Sequence, residues 1–356
     1  MNEKIENLLK EDRKFPPSEH LVKNANAPSS WYDEASKDRL KFWQKQALTR
    51  ISWFKEPTEI LDDSNPPFFK WFKDGELNLS YNCLDRHLES DGDRVAFYWE
   101  GEPGDTQEIT YQDLYERVCK LSNALKKLGV EKGDRVAIYL GMTPEIVVSM
   151  LACARIGAVH SVVFGGFSSE ALADRINDAK AKTVITADGA WRRGDIVPLK
   201  NNVDGSLELT EYVENVIVVK RTEQEISMTD GRDHWYHDIT DKESSDCEPE
   251  VMNSEDMLYI LYTSGTTAKP KGIVHTQGGY LTGVATTHHE VFDVKEDDIY
   301  WCAADCGWVT GHSYIVYGPL ANKTTSVMYE GAPNACLLYT SPSPRDATLS
   351  RMPSSA

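Results

Sequence analysis

Residues 134–164 read DRVAIYLGMTPEIVVSMLACARIGAVHSVVF, and this stretch decides the fold class. DRVAIYLG predicts a strand, because a short apolar run of this length suits a buried strand. Thr143-Pro144 then supplies an N-cap and a proline at the first helical position, and the predicted helix ends at Gly157. AVHSVVF predicts the next strand. Strand, helix and strand in this order predict a right-handed βαβ unit with parallel strands.

The same alternation continues on both sides of this stretch. Upstream, DRVAFYWE (93–100) predicts a strand, and TYQD from Thr110 resembles a capping box that opens an amphipathic helix ending near Gly129. Downstream, SSEALADRINDAK predicts a helix capped by Ser168, and KTVITAD and NVIVVK predict two more strands. We therefore expect an α/β fold with βαβ units and a largely parallel sheet over residues 86–335.

The segments outside this pattern differ in composition. Residues 1–85 are rich in Trp, Phe, Lys and Asp, and we expect a separate, mostly irregular collar with one helix in residues 31–53. Residues 221–250 are acidic and polar, and they predict a surface loop or linker. The collar is expected to pack on the next domain through Trp31, Trp43, Trp53 and Phe68.

Charge and composition exclude several functions for this chain of 356 residues. The net charge of -18 opposes binding to nucleic acid and to anionic membranes, so neither is expected as a partner. The first residues are too polar for a secretory signal, and no run approaches the roughly 18 apolar residues that span a bilayer. Seven cysteines, an odd number without a Cys-x-x-Cys pair, predict reduced thiols and a cytoplasmic location rather than disulfides. Cys302 and Cys306 lack a second pair of ligands, so no metal site is predicted.

The strongest functional motif follows the apolar run MLYILY (257–262). It reads TSGTTAKPKG (263–272), in which glycines let backbone N–H groups approach an anion, hydroxyls donate to phosphate oxygens and lysines add charge. The spacing G-x-x-x-x-G-K-S/T of a Walker A loop is absent, and the composition alone also fits a flexible surface turn. The predicted phosphate-binding residues are Thr263, Ser264, Gly265, Thr266, Thr267, Lys269, Lys271 and Gly272.

This motif matches the signature S/T-S/G-G-S/T-S/T-x-x-P-K-G of adenylate-forming enzymes. A closer resemblance, to the acetyl-CoA synthetase family, covers most of residues 20–334. The segments that are similar to this family are WYDEASKDRLKFW, NLSYNCLDRHL, HSVVFGGFSSEAL and DCGWVTGHSYIVYGPL. This resemblance implies the large amino-terminal domain of an adenylate-forming enzyme, here incomplete. The implied reaction converts acetate, ATP with Mg²⁺, and CoA to acetyl-CoA, AMP and pyrophosphate through an acetyl-adenylate, and the loop is expected to embrace the β- and γ-phosphates of ATP.

The resemblance also implies an acetate pocket walled by Trp308, Val309 and Thr310. Thr310 is the most informative of these residues, because propionate-specific relatives resemble G-W-V-V-G-H-S-Y at this point. Acetate is therefore the expected substrate, and a propionate–CoA ligase is the alternative. We expect His312 to be structural, with orientation of this loop as the alternative. His275 is expected to be a structural neighbour of the phosphate loop, and the pair His288-His289 to lie on a helix surface.

A CoA site is implied near WRRGD (191–195), which follows the strand KTVITAD. Ligands bind at the carboxyl ends of strands in parallel sheets, and an arginine fork suits phosphate. Asp195 stands where the family often has Arg or Lys, so Arg193 is an alternative phosphate contact. Gly165-Gly166 matches a glycine turn near CoA, although a structural turn explains it as well. The implied CoA-binding residues are Gly165, Arg192, Arg193, Gly194, Asp195, Thr310 and Asn334.

The resemblance stops after GAPN (331–334). Residues 336–356 are rich in Ser, Pro and Arg, and we interpret them as a non-native read-through tail, with a natural disordered tail as the alternative. In the family, the adenine- and ribose-binding motifs follow this point, as does a small carboxyl-terminal domain with the adenylation lysine. No catalytic residue is therefore assigned, and the chain alone is expected to be inactive. A non-catalytic, nucleotide-binding homologue is the second alternative, and the sequence carries no signal of oligomeric state.

Overall fold

The computed structural model describes residues 14–263 and 270–331. Ser264, Gly265, Thr266, Thr267, Lys269 and Asn334, as well as the tail 336–356, lie outside these ranges. The strands of the described ranges are β1 (Leu61–Asp62), β2 (Lys70–Trp71), β3 (Glu76–Leu77), β4 (Val95–Glu100), β5 (Thr106–Thr110), β6 (Arg135–Tyr139), β7 (Val159–Val162), β8 (Thr183–Ala187), β9 (Ala190–Arg192), β10 (Asp195–Val197), β11 (Asn215–Val219), β12 (Asp233–Trp235), β13 (Met252–Asn253), β14 (Met257–Thr263), β15 (Lys271–Thr276), β16 (Ile299–Trp301) and β17 (Thr325–Tyr329).

Helices alternate with these strands along most of the chain. A π-helix, His312–Tyr317, lies between the last two α-helices. The α-helices of the described ranges are α1 (Glu19–Asn24), α2 (Ser30–Lys37), α3 (Arg39–Arg50), α4 (Leu79–Cys83), α5 (Asp85–Asp91), α6 (Tyr111–Lys127), α7 (Pro144–Ile156), α8 (Ser169–Ala179), α9 (Leu199–Leu207), α10 (Tyr236–Thr240), α11 (Gln277–Val291), α12 (Val309–Gly311) and α13 (Gly318–Ala321).

The main sheet has seven strands in the order β12-β11-β8-β6-β7-β14-β15. Neighbouring strands from β12 to β14 are parallel, and only β15 runs antiparallel, to β14. The predicted α/β fold with a largely parallel sheet is confirmed. Helix α7 is buried along almost its whole length, as its continuous apolar sequence requires.

Helix ends follow the predicted signals closely. Thr110 forms a complete capping box with Asp113, and the side chain of Ser168 accepts a hydrogen bond from the backbone of Ala171. Gly157 ends α7 in the left-handed conformation at φ 74°, and a Cβ there would approach Met252 Sδ at 2.7 Å. Thr143 occupies the N-cap of α7 as predicted, but its side chain makes no capping bond.

A second sheet, in the order β16-β17-β4-β5, was not predicted. Strands β4 and β5 form a hairpin, and β17 pairs in parallel with β4 although more than 200 residues separate them. This pairing depends on long-range packing, which local hydrophobic patterns do not report.

Four predictions about other parts of the chain were wrong. The expected single helix of residues 31–53 is divided at Asp38, whose side chain caps α3, and Phe68 is 71% exposed. Residues 221–250 are not simply a loop, because β12 extends the main sheet and α10 follows it. His288 is fully buried, since α11 packs against α3 and α13.

Within the described part of the chain, no helix has the length and apolar character that crossing a bilayer requires.

Candidate functional site

Three predicted ligand-binding segments lie at the carboxyl ends of neighbouring parallel strands. Gly165 follows β7, the segment around Arg192 follows β8, and Thr263 is the last residue of β14. The carboxyl ends of parallel strands share one edge of a sheet, and such edges are where open α/β sheets bind ligands. The three segments, which are far apart in the sequence, thus lie at the same edge of the main sheet.

We call β14 and β15 the Lys271 hairpin. Across it, Thr263 pairs with Lys271 and Tyr262 with Gly272, and the side chains of Thr263 and Lys271 are exposed. A Cβ at Gly272 would lie 2.9 Å from Ile260 Cγ2, so only glycine fits against the neighbouring strand. The structure therefore brings Thr263, Lys271 and Gly272 together beside the ends of the segment 264–269.

We call β9 and β10, with the two residues between them, the Arg192 hairpin. Arg192 pairs with Asp195, and the intervening Arg193 and Gly194 have φ values of 56° and 82°. Two positive φ values define a type I′ turn. The segment is thus a strand pair with a tight turn, and its amide at Gly194 donates a hydrogen bond to the carboxylate of Glu102.

We call residues 305–310 the Trp308 turn. The Asp305 carboxylate accepts a hydrogen bond from the backbone N–H of Gly307 at 2.7 Å, and its carbonyl accepts one from Trp308 at 3.0 Å. Trp308, Val309 and Thr310 are all exposed. A constrained backbone therefore presents the side chains of these three residues to solvent.

Phe164 joins the Arg192 hairpin to the Trp308 turn. The Arg192 guanidinium lies 4.9 Å from the centroid of the Phe164 ring, a cation–π contact, and the Trp308 ring lies 6.0 Å from the same ring. Arg192 Nη1 is also 4.0 Å from Asp305 Oδ2. Sequence reasoning missed both Phe164 and Asp305, although each directly adjoins a predicted segment.

The glycine turn after Phe164 is held from the interior. Tyr139 Oη donates to the carbonyls of Gly165 at 3.1 Å and Phe167 at 2.7 Å. A Cβ at Gly165 would lie 3.3 Å from the Leu140 carbonyl oxygen, closer than most side chains tolerate. A larger residue at position 165 would therefore press against the backbone of residue 140.

A cavity of about 100 Å³ lies beside these segments. Partial burial raises the pKa of the Asp305 carboxyl, while the Gly307 amide and Arg192 act in the opposite direction. Gly331, the last residue that the structure describes, lines the cavity. The lining residues that matter here are Arg192, Cys302, Asp305, Tyr329, Glu330 and Gly331.

Four buried or half-buried rings, two of them from the Lys271 hairpin, form a stack next to the Trp308 turn. His275 of β15 stacks on Tyr259 of β14 at 4.5 Å, and Tyr259 lies 4.5 Å from His312. His312 in turn stacks on His160 of β7, at 5.7 Å and 8° between planes. Burial lowers the pKa of His312 to about 4 and also lowers the pKa values of His160 and His275. The stack is therefore uncharged near neutral pH.

This arrangement is that of a class of α/β proteins: a largely parallel sheet with the exposed Thr263 and Lys271 and the Arg192 hairpin after the carboxyl ends of its strands, where such sheets bind ligands. Comparison with known proteins agrees, because residues 84–339 match the family described as AMP-binding enzyme. The chain belongs to this AMP-binding enzyme family.

The comparisons also identify a narrower group of similar proteins within this family. Residues 29–83 match the family described as acetyl-coenzyme A synthetase N-terminus. The acetyl-coenzyme A synthetases of Streptomyces avermitilis and Streptomyces coelicolor are 61% and 60% identical over 335 residues, which are 94% of this chain and 51% of each relative. The protein of the same name from Pasteurella multocida is 52% identical over 92% of this chain. The resemblance inferred from the motifs is confirmed, and the chain spans about half the length of the curated relatives it matches.

Proposed function

We propose that this chain forms part of an AMP-forming acetate–CoA ligase. In this reaction an acetate oxygen attacks the α-phosphate of ATP, giving acetyl-adenylate and pyrophosphate, and the CoA thiol then displaces AMP. The observation that carries the proposal is that Phe164, just after β7, joins the Arg192 hairpin to the Trp308 turn, while Tyr259 of the Lys271 hairpin packs on His312 next to that turn. Identity of 52–61% to proteins named acetyl-coenzyme A synthetase supports it.

The Lys271 hairpin is proposed to hold the β- and γ-phosphates of ATP. Lys271 supplies a positive charge, and Thr263 supplies a hydroxyl donor at the opposite strand end. Both groups stabilise the negative charge of the leaving pyrophosphate, which is the principal demand of phosphoryl and nucleotidyl transfer. Mg²⁺ enters as part of the substrate Mg-ATP, and no cluster of three His, Cys, Asp or Glu side chains within the described ranges forms a resident metal site.

The Trp308 turn is proposed to wall the acetate pocket with Trp308, Val309 and Thr310. Because these side chains project from a constrained backbone, they define a wall of fixed position. A small pocket discriminates against one additional methylene by about 1–3 kcal/mol. Acetate is therefore proposed over propionate, with Thr310 as the residue that sets this preference.

The Arg192 hairpin is proposed to bind the phosphorylated adenosine of CoA. Arg192 already lies between the Phe164 ring and the Asp305 carboxylate, so its guanidinium is held close to the site. Arg193 occupies the turn next to Gly194 and is the alternative contact. Asp195, on the adjoining strand, is exposed and repels phosphate, so we assign it no direct contact. Gly165, Thr310 and Asn334 are proposed to line the remainder of the CoA path.

We place the enzyme in the cytoplasm and propose no macromolecular partner. The location is proposed from the cysteine pattern of the sequence, because reduced thiols are typical of that compartment.

The test is a chimera that joins residues 1–331 to the carboxyl-terminal half of the Streptomyces avermitilis relative, which this chain does not match, with the chain alone as the matched control. We expect the chimera to catalyse acetate-dependent ATP–pyrophosphate exchange and CoA-dependent AMP release, with at least tenfold lower kcat/KM for propionate. The chain alone is expected to show neither activity. A chimera that melts cooperatively but shows no exchange contradicts the proposal, and a higher kcat/KM for propionate identifies a propionate–CoA ligase.

A further inference from the structure

His312 lies two residues after the Trp308 turn and is hydrogen-bonded to it. The backbone carbonyl of Trp308 accepts hydrogen bonds from the His312 backbone N–H at 3.2 Å and from the ring Nδ1 at 3.1 Å. A carbonyl oxygen only accepts, so Nδ1 carries the proton. Because burial lowers the pKa of His312 to about 4, the ring is neutral and Nε2 is then a bare acceptor.

The His312 ring also contacts the strands that carry the other ligand-binding segments. One of its neighbours, Tyr259, belongs to the strand that ends at Thr263, and another, His160, belongs to the strand that leads to Gly165. A change in this ring therefore affects the Trp308 turn most, because the ring is hydrogen-bonded to that turn and only packs against the two strands.

The Nε2 atom of His312 is buried and has no hydrogen-bond partner among the described residues, and the same is true of Nε2 in His288. The donation from Nδ1 to the Trp308 carbonyl is therefore what sets His312 apart. An unpaired buried acceptor costs about 1–3 kcal/mol, a cost that an apolar side chain of similar size avoids. The ring is also the first residue of the π-helix His312–Tyr317, a type of helix that is frequent at functional sites.

We propose that His312 is a positioning residue for the acetate pocket. By donating from Nδ1 to the Trp308 carbonyl, it fixes the direction in which Trp308, Val309 and Thr310 leave the backbone. It touches no substrate itself. The inference rests on the proposed acetate–CoA ligase activity, because the pocket that it positions is the proposed one.

The experiment compares two substitutions of His312 in the chimera. His312→Leu removes the donor, and His312→Asn keeps a side-chain N–H at the same number of bonds from the backbone as Nδ1. We expect His312→Leu to raise the KM for acetate about tenfold and to reduce the acetate-to-propionate preference about tenfold, while the KM values for ATP and CoA change less than twofold. His312→Asn should return the KM for acetate to within about threefold of the parent.

His288 supplies the matched control. It is also fully buried, its pKa is likewise lowered to about 4 by burial, and its Nδ1 lies 3.2 Å from Asn322 Nδ2. It lies on α11, away from the Trp308 turn. We expect His288→Leu to lower the Tm by an amount similar to His312→Leu and to leave all three KM values unchanged.

The outcomes separate this inference from the proposed function. An inactive parent chimera with a cooperative melt overturns both. An active parent in which His312→Leu lowers the Tm but leaves the KM for acetate and the substrate preference unchanged overturns the positioning role alone. The same holds if His312→Asn fails to restore the KM although it restores the Tm.

Discussion

The two hairpins of the site are proposed to bind phosphate with different physical devices. In the Lys271 hairpin, strand ends with exposed Thr263 and Lys271 flank a segment with one glycine and three hydroxyl-bearing residues. In the Arg192 hairpin, a two-residue turn with positive φ values holds an arginine that already has a ring and a carboxylate as neighbours. The Lys271 hairpin suits an anion that is surrounded by hydrogen-bond donors. The Arg192 hairpin suits an anion that binds to the planar guanidinium group of an arginine.

The two hairpins also differ in the contacts that hold them in place. Histidine and tyrosine rings pack behind the Lys271 hairpin, so its order depends on a buried, neutral stack. The Arg192 hairpin has no histidine, and its order comes from the turn and from the hydrogen bond between Gly194 and Glu102. The two hairpins should therefore respond differently to pH and to substitution.

Acidification should affect the Lys271 hairpin before the Arg192 hairpin. The pKa of His312 is lowered to about 4 in the folded chain, against about 6.5 when unfolded. The unfolded chain thus binds more protons between these two pH values. The contribution of the neutral His312 ring to the free energy of unfolding is therefore fully present above pH 6.5 and is lost as the pH falls towards 4. The loss is about 3 kcal/mol for a ring this deeply buried, at 1.4 kcal/mol per pKa unit.

Hydrogen exchange measures this difference. Between pH 6.5 and 4.5, after correction for intrinsic rates, amides of residues 257–263 and 271–276 should lose protection while those of residues 190–197 change little. The variant His312→Asn should show a flatter dependence for the Lys271 hairpin. Equal loss of protection in both hairpins contradicts the role given to the stack.

Lys271→Ala should lower acetate-dependent ATP–pyrophosphate exchange by the chimera about 100-fold. A charge-assisted contact to phosphate contributes about 1.5–3 kcal/mol, and one factor of ten is 1.4 kcal/mol. Lys45→Ala is the control, since Lys45 is an exposed lysine on α3. If both variants retain exchange within threefold of the parent, Lys271 does not bind the polyphosphate.

Much of the main sheet was predictable because its signals are local. The unit β6–α7–β7 carries its own caps, apolar runs and glycine stop within residues 134–164. Strand β12 was missed because its three residues, Asp233, His234 and Trp235, are stabilised by pairing with β11 rather than by an apolar run.

The site was predictable only to the extent that a family motif covers it. The motifs identified Lys271, Arg192 and Trp308, but not the contacts between them. Phe164 and Asp305 bring the latter two together, and these contacts arise from the order of strands in the sheet. His288 was misplaced because its helix is covered on more than one side, which the sequence period alone does not reveal.

Arg192→Ala should raise the KM for CoA about tenfold without changing ATP–pyrophosphate exchange, because CoA enters after the adenylate forms. Arg192→Lys should show an intermediate effect, since it keeps the charge but loses the planar fork. Steady-state kinetics of AMP release measure both. A fall in pyrophosphate exchange in Arg192→Ala would show that the two hairpins act on the same substrate.

Arg193→Asn tests the turn itself and should have a small effect. Arg193 has φ 56°, a left-handed conformation that costs an ordinary L-residue about 1 kcal/mol and that asparagine tolerates better. Asn-Gly is also the preferred pair for a type I′ turn, so the free energy of unfolding should rise by about 0.5 kcal/mol. Thermal denaturation measures this gain.

Gly194→Ala is the opposite control: its Cβ would meet no atom within 4 Å, so a loss of about 1 kcal/mol there reflects backbone conformation alone. If Arg193→Asn instead raises the KM for CoA tenfold while Arg192→Ala does not, the phosphate contact belongs to the turn and not to the strand.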